Sequence, residues 1–270
     1  MPSGWRTPKT MASKKLSKIR AGIDVGSLTD VGCHRENNED RYEYWEPASD
    51  AEFVRKGRLA IVADGMGGYE GGQEASRIAV ETVKQTYSGD PSDPQSLLNA
   101  GILTAHQQIL QYASEHPALS GMGTTCTAIA VIGAHLHYAH VGDSRLYLIR
   151  GGKISRITRD HSYVNRLVET GLISSQEAEN HPHRNILTAA VGAGTEINPE
   201  YPANPVLLAC DDILLLCTDG LWGVMTDEEI QKAASEKPPQ PACESLVRLA
   251  KERGGPDNIT LMILRIKDQR

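Results

Sequence analysis

The chain has 270 residues, 40% hydrophobic and 23% charged, which supplies one sizeable core and falls short of two. No apolar run approaches the roughly 20 residues needed to cross a bilayer, so a helical membrane span is excluded. The net charge of −6 conceals a basic start: residues 1–20 hold six Lys/Arg and no acid, leaving a body of about −12 that argues against nucleic acid as the main partner.

Residues 1–18 read as a solvated, basic, disordered leader that lacks the apolar stretch of a secretory signal, and residues 19–267 as one folded domain. The five cysteines, Cys33, Cys126, Cys210, Cys217 and Cys243, are odd in number and scattered. They suit reduced thiols in the cytoplasm, and without a Cys-x-x-Cys pair they leave any metal chemistry to oxygen ligands.

Residues 19–25 predict a first strand and 24–32 a Gly/Ser/Thr-rich loop after it. Cys33-His34-Arg35-Glu36-Asn37-Asn38-Glu39-Asp40-Arg41 follows, with a strand over 42–45. Arg35 offers a planar fork that matches phosphate oxygens, while Glu39 and Asp40 suit water held around a cation. Taken alone, this is an ordinary charged loop. Residues 59–63 carry the continuous apolar character of a strand buried on both faces, and that strand stops at Asp64-Gly65-Met66-Gly67-Gly68. A hard divalent cation takes oxygen ligands, so the Asp64 carboxylate and the Gly65 carbonyl offer two side by side; a simple Asx turn explains the same dipeptide without function.

Ala75, Ile78, Ala79, Val83 and Tyr87 recur at helical spacing, as do Leu97, Leu98, Ile102, Ala105 and Ile109 after Pro94. Both stripes predict amphipathic helices packed on a core. Runs over 124–132, 135–141 and 145–149 predict three strands of one antiparallel meander, with Asp143 in the turn Gly142-Asp143-Ser144-Arg145. Residues 159–200 change character, with a short helix over 164–170, a capping box at Ser174 and Glu177, then His181-Pro182-His183-Arg184-Asn185. Such a segment predicts an insertion on the sheet rather than core, and His181 and His183 have no third ligand beside them. Residues 212–217 form another doubly buried strand running into Thr218-Asp219-Gly220. Thr226 and Glu229 cap a helix, Cys243, Leu246, Val247 and Ala250 mark a last one, and Asp257-Asn258 opens a final strand over 259–266.

Asp64, Asp219 and Asp257 therefore stand at three strand ends that can converge. Like charges a few Å apart raise carboxyl pKa values and destabilise the site, so such a cluster implies bound cations, and an all-oxygen donor set suits Mg²⁺ or Mn²⁺.

The motifs Thr29-Asp30-Val31-Gly32 through Arg35, Asn38-Glu39-Asp40, the stretch from Val62 to Gly68, Gly123-Thr124-Thr125, Gly142-Asp143-Ser144-Arg145, Thr218-Asp219-Gly220 and Asp257-Asn258-Ile259-Thr260 stand in a telling order. Over residues 19–267 the chain resembles the type 2C (PPM) metal-dependent serine/threonine protein phosphatases in their compact bacterial form. The resemblance implies an α+β fold, a four-layer α-β-β-α sandwich of two antiparallel sheets flanked by helices, with residues 159–200 as a flap. It implies hydrolysis of phosphoserine and phosphothreonine in phosphoproteins by a metal-activated water, opposing a cognate serine/threonine kinase, in a cytoplasmic monomer. Carried over by motif, Asp64 bridges two ions, Mn²⁺ or Mg²⁺, the Gly65 carbonyl binds the second, and Asp219 and Asp257 bind the first. Glu39 and Asp40 act through metal-bound water, Arg35 holds the substrate phosphate, and Asp143 helps bind a third, weaker ion. Two departures stand out. Met66 replaces a histidine that some animal members use as a general acid, and Tyr69 replaces a histidine of many bacterial members. The rival reading is a catalytically silent family member acting as a binding or regulatory module; such proteins lose metal carboxylates, and this chain keeps them.

Overall fold

The computed structural model describes residues 19–67, 70–89 and 93–267, so the basic leader of residues 1–18 and Tyr69 lie outside the described residues. In chain order the strands are β1 (Ile23–Asp30), β2 (Arg41–Trp45), β3 (Arg58–Ala63), β4 (Gly65–Met66), β5 (Gly123–Thr124), β6 (Cys126–Ile132), β7 (His135–Val141), β8 (Arg145–Arg150), β9 (Lys153–Arg156), β10 (Val206–Leu207), β11 (Ile213–Cys217) and β12 (Ile259–Ile266). The helices are α1 (Asp50–Lys56), α2 (Gly71–Gly89), α3 (Pro94–Glu115), α4 (Tyr163–Glu169), α5 (Ser175–Glu179), α6 (Asp219–Trp222), α7 (Asp227–Glu236) and α8 (Pro239–Glu252). One antiparallel sheet runs β1-β12-β11-β8-β9 and the other β10-β7-β6-β3-β2, with β4 and β5 as a separate short pair.

Period-2 alternation along the central strands builds three apolar layers. Ala60 and Val62 of β3 meet Leu214 and Leu216 of β11 and Met262 and Leu264 of β12 between the sheets. The opposite faces of the same strands, Leu59 and Ile61 on one sheet and Leu215 and Ile263 on the other, pack under α2–α3 and α7–α8 respectively. The result is the α-β-β-α sandwich. Each fully buried Leu or Ile contributes on the order of 1.5–3 kcal/mol, so strands covered on both faces are the rigid part on which a site can be mounted. Among the described residues no helix is long and apolar enough to cross a membrane.

Three expectations are corrected. Residues 24–30 are strand rather than loop: β1 pairs residue for residue with β12, from Ile23 opposite Ile266 to Asp30 opposite Ile259. The glycine there serves close approach, since a Cβ on Gly26 would lie 2.3 Å from the Pro239 carbonyl carbon at the start of α8. The three-strand meander also fails, because β6 pairs with β7 whereas β8 pairs with β11 and β9 in the other sheet. Gly142-Asp143-Ser144 is thus a crossing between sheets, which an apolar pattern identical on both sides of it cannot reveal. Finally, residues 159–200 are only partly an external insertion. Helices α4 and α5 sit outside, but the return segment bridges Val191 to Thr124 and buries Ala190, Val191 and Ile197 in the protein interior.

The capping chemistry follows the sequence. Ser174 with Glu177 and Thr226 with Glu229 form reciprocal capping boxes at α5 and α7, and the Asp93 side chain caps α3 ahead of Pro94.

Candidate metal centre

One end of the sandwich gathers the acidic strand ends. Asp64 follows β3, Asp40 precedes β2, Asp219 opens α6 just after β11, Asp257 precedes β12, and Asp143 lies at the crossing from β7 to β8. The main chain around Asp64 is fully engaged: its N–H donates to Thr125 Oγ1 at 2.9 Å, and its carbonyl accepts from the Thr125 N–H and from Thr124 Oγ1, each at 2.9 Å. The β4–β5 pair thereby fixes Gly65 opposite Thr124. Gly65 also packs backbone to backbone, since a Cβ there would lie 2.1 Å from the Gly72 carbonyl oxygen at the head of α2.

Asp40 is 1% exposed. Its Oδ2 accepts from Thr218 Oγ1 at 2.9 Å, and Thr218 Oγ1 in turn accepts from the Thr260 N–H at 3.0 Å. One hydroxyl therefore ties together the ends of β2, β11 and β12. Asn258 ties the loop before β2: its Nδ2 donates to the Val31 and Asn37 carbonyls at 3.0 and 2.9 Å, and its Oδ1 accepts from the Glu39 N–H at 2.8 Å. Asn38 completes the frame, with its Oδ1 accepting from the Asp40 N–H at 3.0 Å and its Nδ2 donating to Thr29 Oγ1 at 2.7 Å.

The electrostatics is that of crowded, poorly hydrated acids. Burial, then the charges of Asp40, Asp219, Asp143 and Asp257, push the Asp64 carboxyl well above the ordinary carboxylate range. Burial, with Asp219 and Asp257 adding to it against hydrogen bonds from Thr260 and Thr218, raises Asp40 to about 7. Burial and Asp257 raise Asp219 to about 6, and burial with Asp219 and Asp160 raises Asp143 well above its usual value. Glu39 is raised by burial and pulled back by Arg35. Arg35 itself stands at the rim, its side chain 53% exposed, and donates through Nη2 to Asp257 Oδ2 at 2.8 Å.

These residues fit divalent cations. Oδ1 of Asp40 and Oδ1 of Asp219 are buried and have no hydrogen-bond partner among the described residues. A buried carboxylate oxygen left unpaired costs several kcal/mol, and the cluster is all oxygen, the donor type of a hard ion. The structure thus brings Asp40, Asp64, Asp143, Asp219 and Asp257 into mutual electrostatic reach, with Glu39 and Arg35 at the edge. His181 and His183 are not part of it; they lie beside Tyr163 on the outer flap, with their rings tilted against each other and 5.6 Å apart.

The sequence profile described as Protein phosphatase 2C matches residues 35–257. This chain belongs to that family. It is 36% identical over 252 residues to "Protein phosphatase PhpP" of Streptococcus pneumoniae, covering 92% of this chain and 99% of that protein. It is 32% identical over 254 residues to "Serine/threonine protein phosphatase PstP" of Mycobacterium tuberculosis, covering 94% of this chain and 47% of that one. Among solved structures, a Streptococcus agalactiae serine/threonine phosphatase superposes with a TM-score of 0.83 at 32% identity, over 91% of this chain and 100% of the other. The catalytic domain of PstP in complex with two manganese ions gives 0.79 at 32% identity, over 91% and 99%.

The residues missed in this family member's sequence are those that support the acids rather than the acids themselves. Asn258, Thr218 and Thr125 carry no ionisable group, and their partners lie 219, 178 and 61 positions away in the chain. Thr218 and Asn258 signal only by adjoining an aspartate near a strand end, and Thr125 only through the motif Gly123-Thr124-Thr125.

Proposed function

We propose that this serine/threonine protein phosphatase of the 2C family works at the acidic end of the sandwich, with Asp64, the Gly65 carbonyl, Asp219 and Asp257 holding two divalent cations. Glu39 and Asp40 contribute through water, and Asp143 serves a third, weaker ion. When bound, Mn²⁺ or Mg²⁺ supplies positive charge to the phosphoryl oxygens and lowers the pKa of water toward neutrality.

The chain's own residues do the rest. Arg35 binds and orients the phosphate from the rim, because its guanidinium uses one nitrogen on Asp257 and its exposed face is a fork for phosphate oxygens. Asp40 has Oδ2 fixed by Thr218, which leaves Oδ1 as the atom that can hold a proton or orient a water. Met66 cannot donate a proton, so the leaving serine or threonine oxygen takes its proton from water ordered near Asp143. The substrates are phosphoproteins, and the partner the reaction requires is the serine/threonine kinase that installs the phosphoester. Five unpaired cysteines support a reducing, cytoplasmic setting, and we take the enzyme to act as a monomer.

The observation that carries this reading is the pair of buried, unpartnered oxygens on Asp40 and Asp219 within a cluster of acids. None of the carboxylates that a silent family member typically loses is missing. The test is Mn²⁺-dependent phosphate release from a phosphothreonine peptide with and without chelator. Release should stop in excess chelator and return with Mn²⁺; undiminished release in chelator overturns the cation-dependent reading.

A further inference from the structure

Outside the acidic centre, the ligand atoms of His140, His161 and Glu200 lie within 4.8 Å of one another, the spacing of a metal site. The hydrogen bonds argue against one. His140 Nε2 faces the Arg159 carbonyl at 3.1 Å, which places the ring proton there, and Nδ1 accepts from Thr127 Oγ1 at 2.8 Å. Both nitrogens are engaged. Glu200 is likewise occupied, accepting at Oε2 from the Arg159 N–H at 3.0 Å and at Oε1 from Tyr138 at 3.2 Å.

The cluster joins the two arms of the flap to the crossing between the sheets. The flap leaves the sheet at His161 and Ser162, returns antiparallel at Leu187 and Thr188, and rejoins β7 where Glu200 and His140 exchange backbone hydrogen bonds of 2.9 and 2.8 Å. His161 grips the sheet crossing twice. Its N–H donates to the Gly142 carbonyl at 2.7 Å, and its ring Nδ1 accepts from the Gly142 N–H at 3.3 Å. Its own carbonyl accepts from the Thr188 N–H at 2.7 Å, on the returning arm of the flap. Burial, together with the Arg159 charge and against Glu200, holds the His161 pKa below the ordinary histidine value, which keeps Nδ1 available as an acceptor. Gly142 immediately precedes Asp143.

We infer that His161 is a positioning residue: by clasping Gly142 with both its backbone and its ring, it fixes the Asp143 turn to the two arms of the flap. The flap and the Asp143 carboxylate are then one mechanical unit, and the ring acts on the reaction only through Gly142. This rests on the proposed use of Asp143. Asn at 161 reproduces the acceptor, because its amide oxygen leaves Cγ where Nδ1 does. Phe removes the acceptor, and Gln places its amide one bond too far along the side chain.

Two readouts test the clasp. Hydrogen exchange at the Gly142 amide is measured on the full chain without added cation or substrate, and kcat and KM are measured on a phosphothreonine peptide at saturating Mn²⁺. His161→Phe should speed Gly142 exchange and lower kcat, each about tenfold, the size of one lost hydrogen bond, with KM within about threefold of wild type. His161→Asn should restore both. If His161→Phe fails to fold, His161→Gln takes its place with the same expectation. Unchanged Gly142 protection in the Phe or Gln variant overturns the inference, as does an Asn variant no better than Phe. Since exchange is read without cation or substrate, a wild type that shows no Mn²⁺-dependent release would end the phosphatase mechanism while leaving the clasp measurement intact.

Discussion

Strand β11 carries an aspartate at each end, Asp212 buried and Asp219 half-buried, and the two are treated in opposite ways. Asp212, before its first residue, is 1% exposed and takes a two-pronged bond from Arg150 at 2.8 and 2.6 Å plus the Ala209 N–H at 2.7 Å. Asp219, two residues past its last, has among the described residues no guanidinium hydrogen-bonded to it and no partner for its buried Oδ1, and the charge of Asp257 stands beside it. The same contrast holds for Asp160, which takes two bonds from Arg145 and one from Arg156, against Asp143 and Asp64 nearby. A buried acid with a basic partner is structure. A group of buried acids without one is a demand for cations, since an unpaired buried charge otherwise shifts its pKa until it is neutral.

The sharpest way to break this comparison is to exchange the charge at each end. Asp219→Asn should lower kcat on a phosphothreonine peptide by more than about a hundredfold, because even groups that only support a metal ligand are worth 10–100-fold. Its melting temperature without added cation should stay level or rise, as one repulsive charge is gone. Near-normal turnover at saturating Mn²⁺ would place Asp219 with Asp212 as a structural acid.

Asp143→Ala should leave two-ion binding by calorimetry intact while kcat falls, most on alkyl phosphopeptides and least on an aryl phosphate whose leaving group needs no proton. Equal losses on both substrates together with a lowered melting temperature would make Asp143 a shaping residue of the sheet crossing. Arg35→Ala should raise KM for the peptide about tenfold with Mn²⁺ affinity little changed, the loss of one charge-assisted fork. Simultaneous loss of Mn²⁺ binding would show that its bond to Asp257 is what matters.

At the opposite end, Asp212→Ala should cost about 1–3 kcal/mol of stability, toward the lower figure because the Arg150 side chain is 49% exposed, and leave kcat unchanged. The smallest effect is the pH dependence. Asp40 and Asp219 bind protons more tightly folded than unfolded, so their stabilisation is complete below about pH 4 and is lost as pH rises through about 6 and 7. The cation-free melting temperature should therefore carry a component that falls between about pH 4 and 7, shallower in Asp219→Asn and cancelled by Mn²⁺. A slope identical in wild type and variant would remove Asp219 from that account.

The sequence by itself determined the acids and the strands that carry them. An apolar run ending in Asp-Gly is a local statement, and β3 and β11 formed within a residue of where the runs 59–63 and 212–217 predicted, with Asp64 and Asp219 at their ends. The helices α2 and α3 and the capping boxes were equally local, since period and cap lie within one or two turns. Only the tertiary structure decided that β7 and β8 part into different sheets, that Gly26 lies in a strand beneath α8, and that Asn258, Thr218 and His161 hold the acids in register. Each of these turns on which surface a residue meets far along the chain. A hydropathy pattern records that a side chain is buried, but a hydrogen bond between residues more than 200 positions apart leaves no period to read.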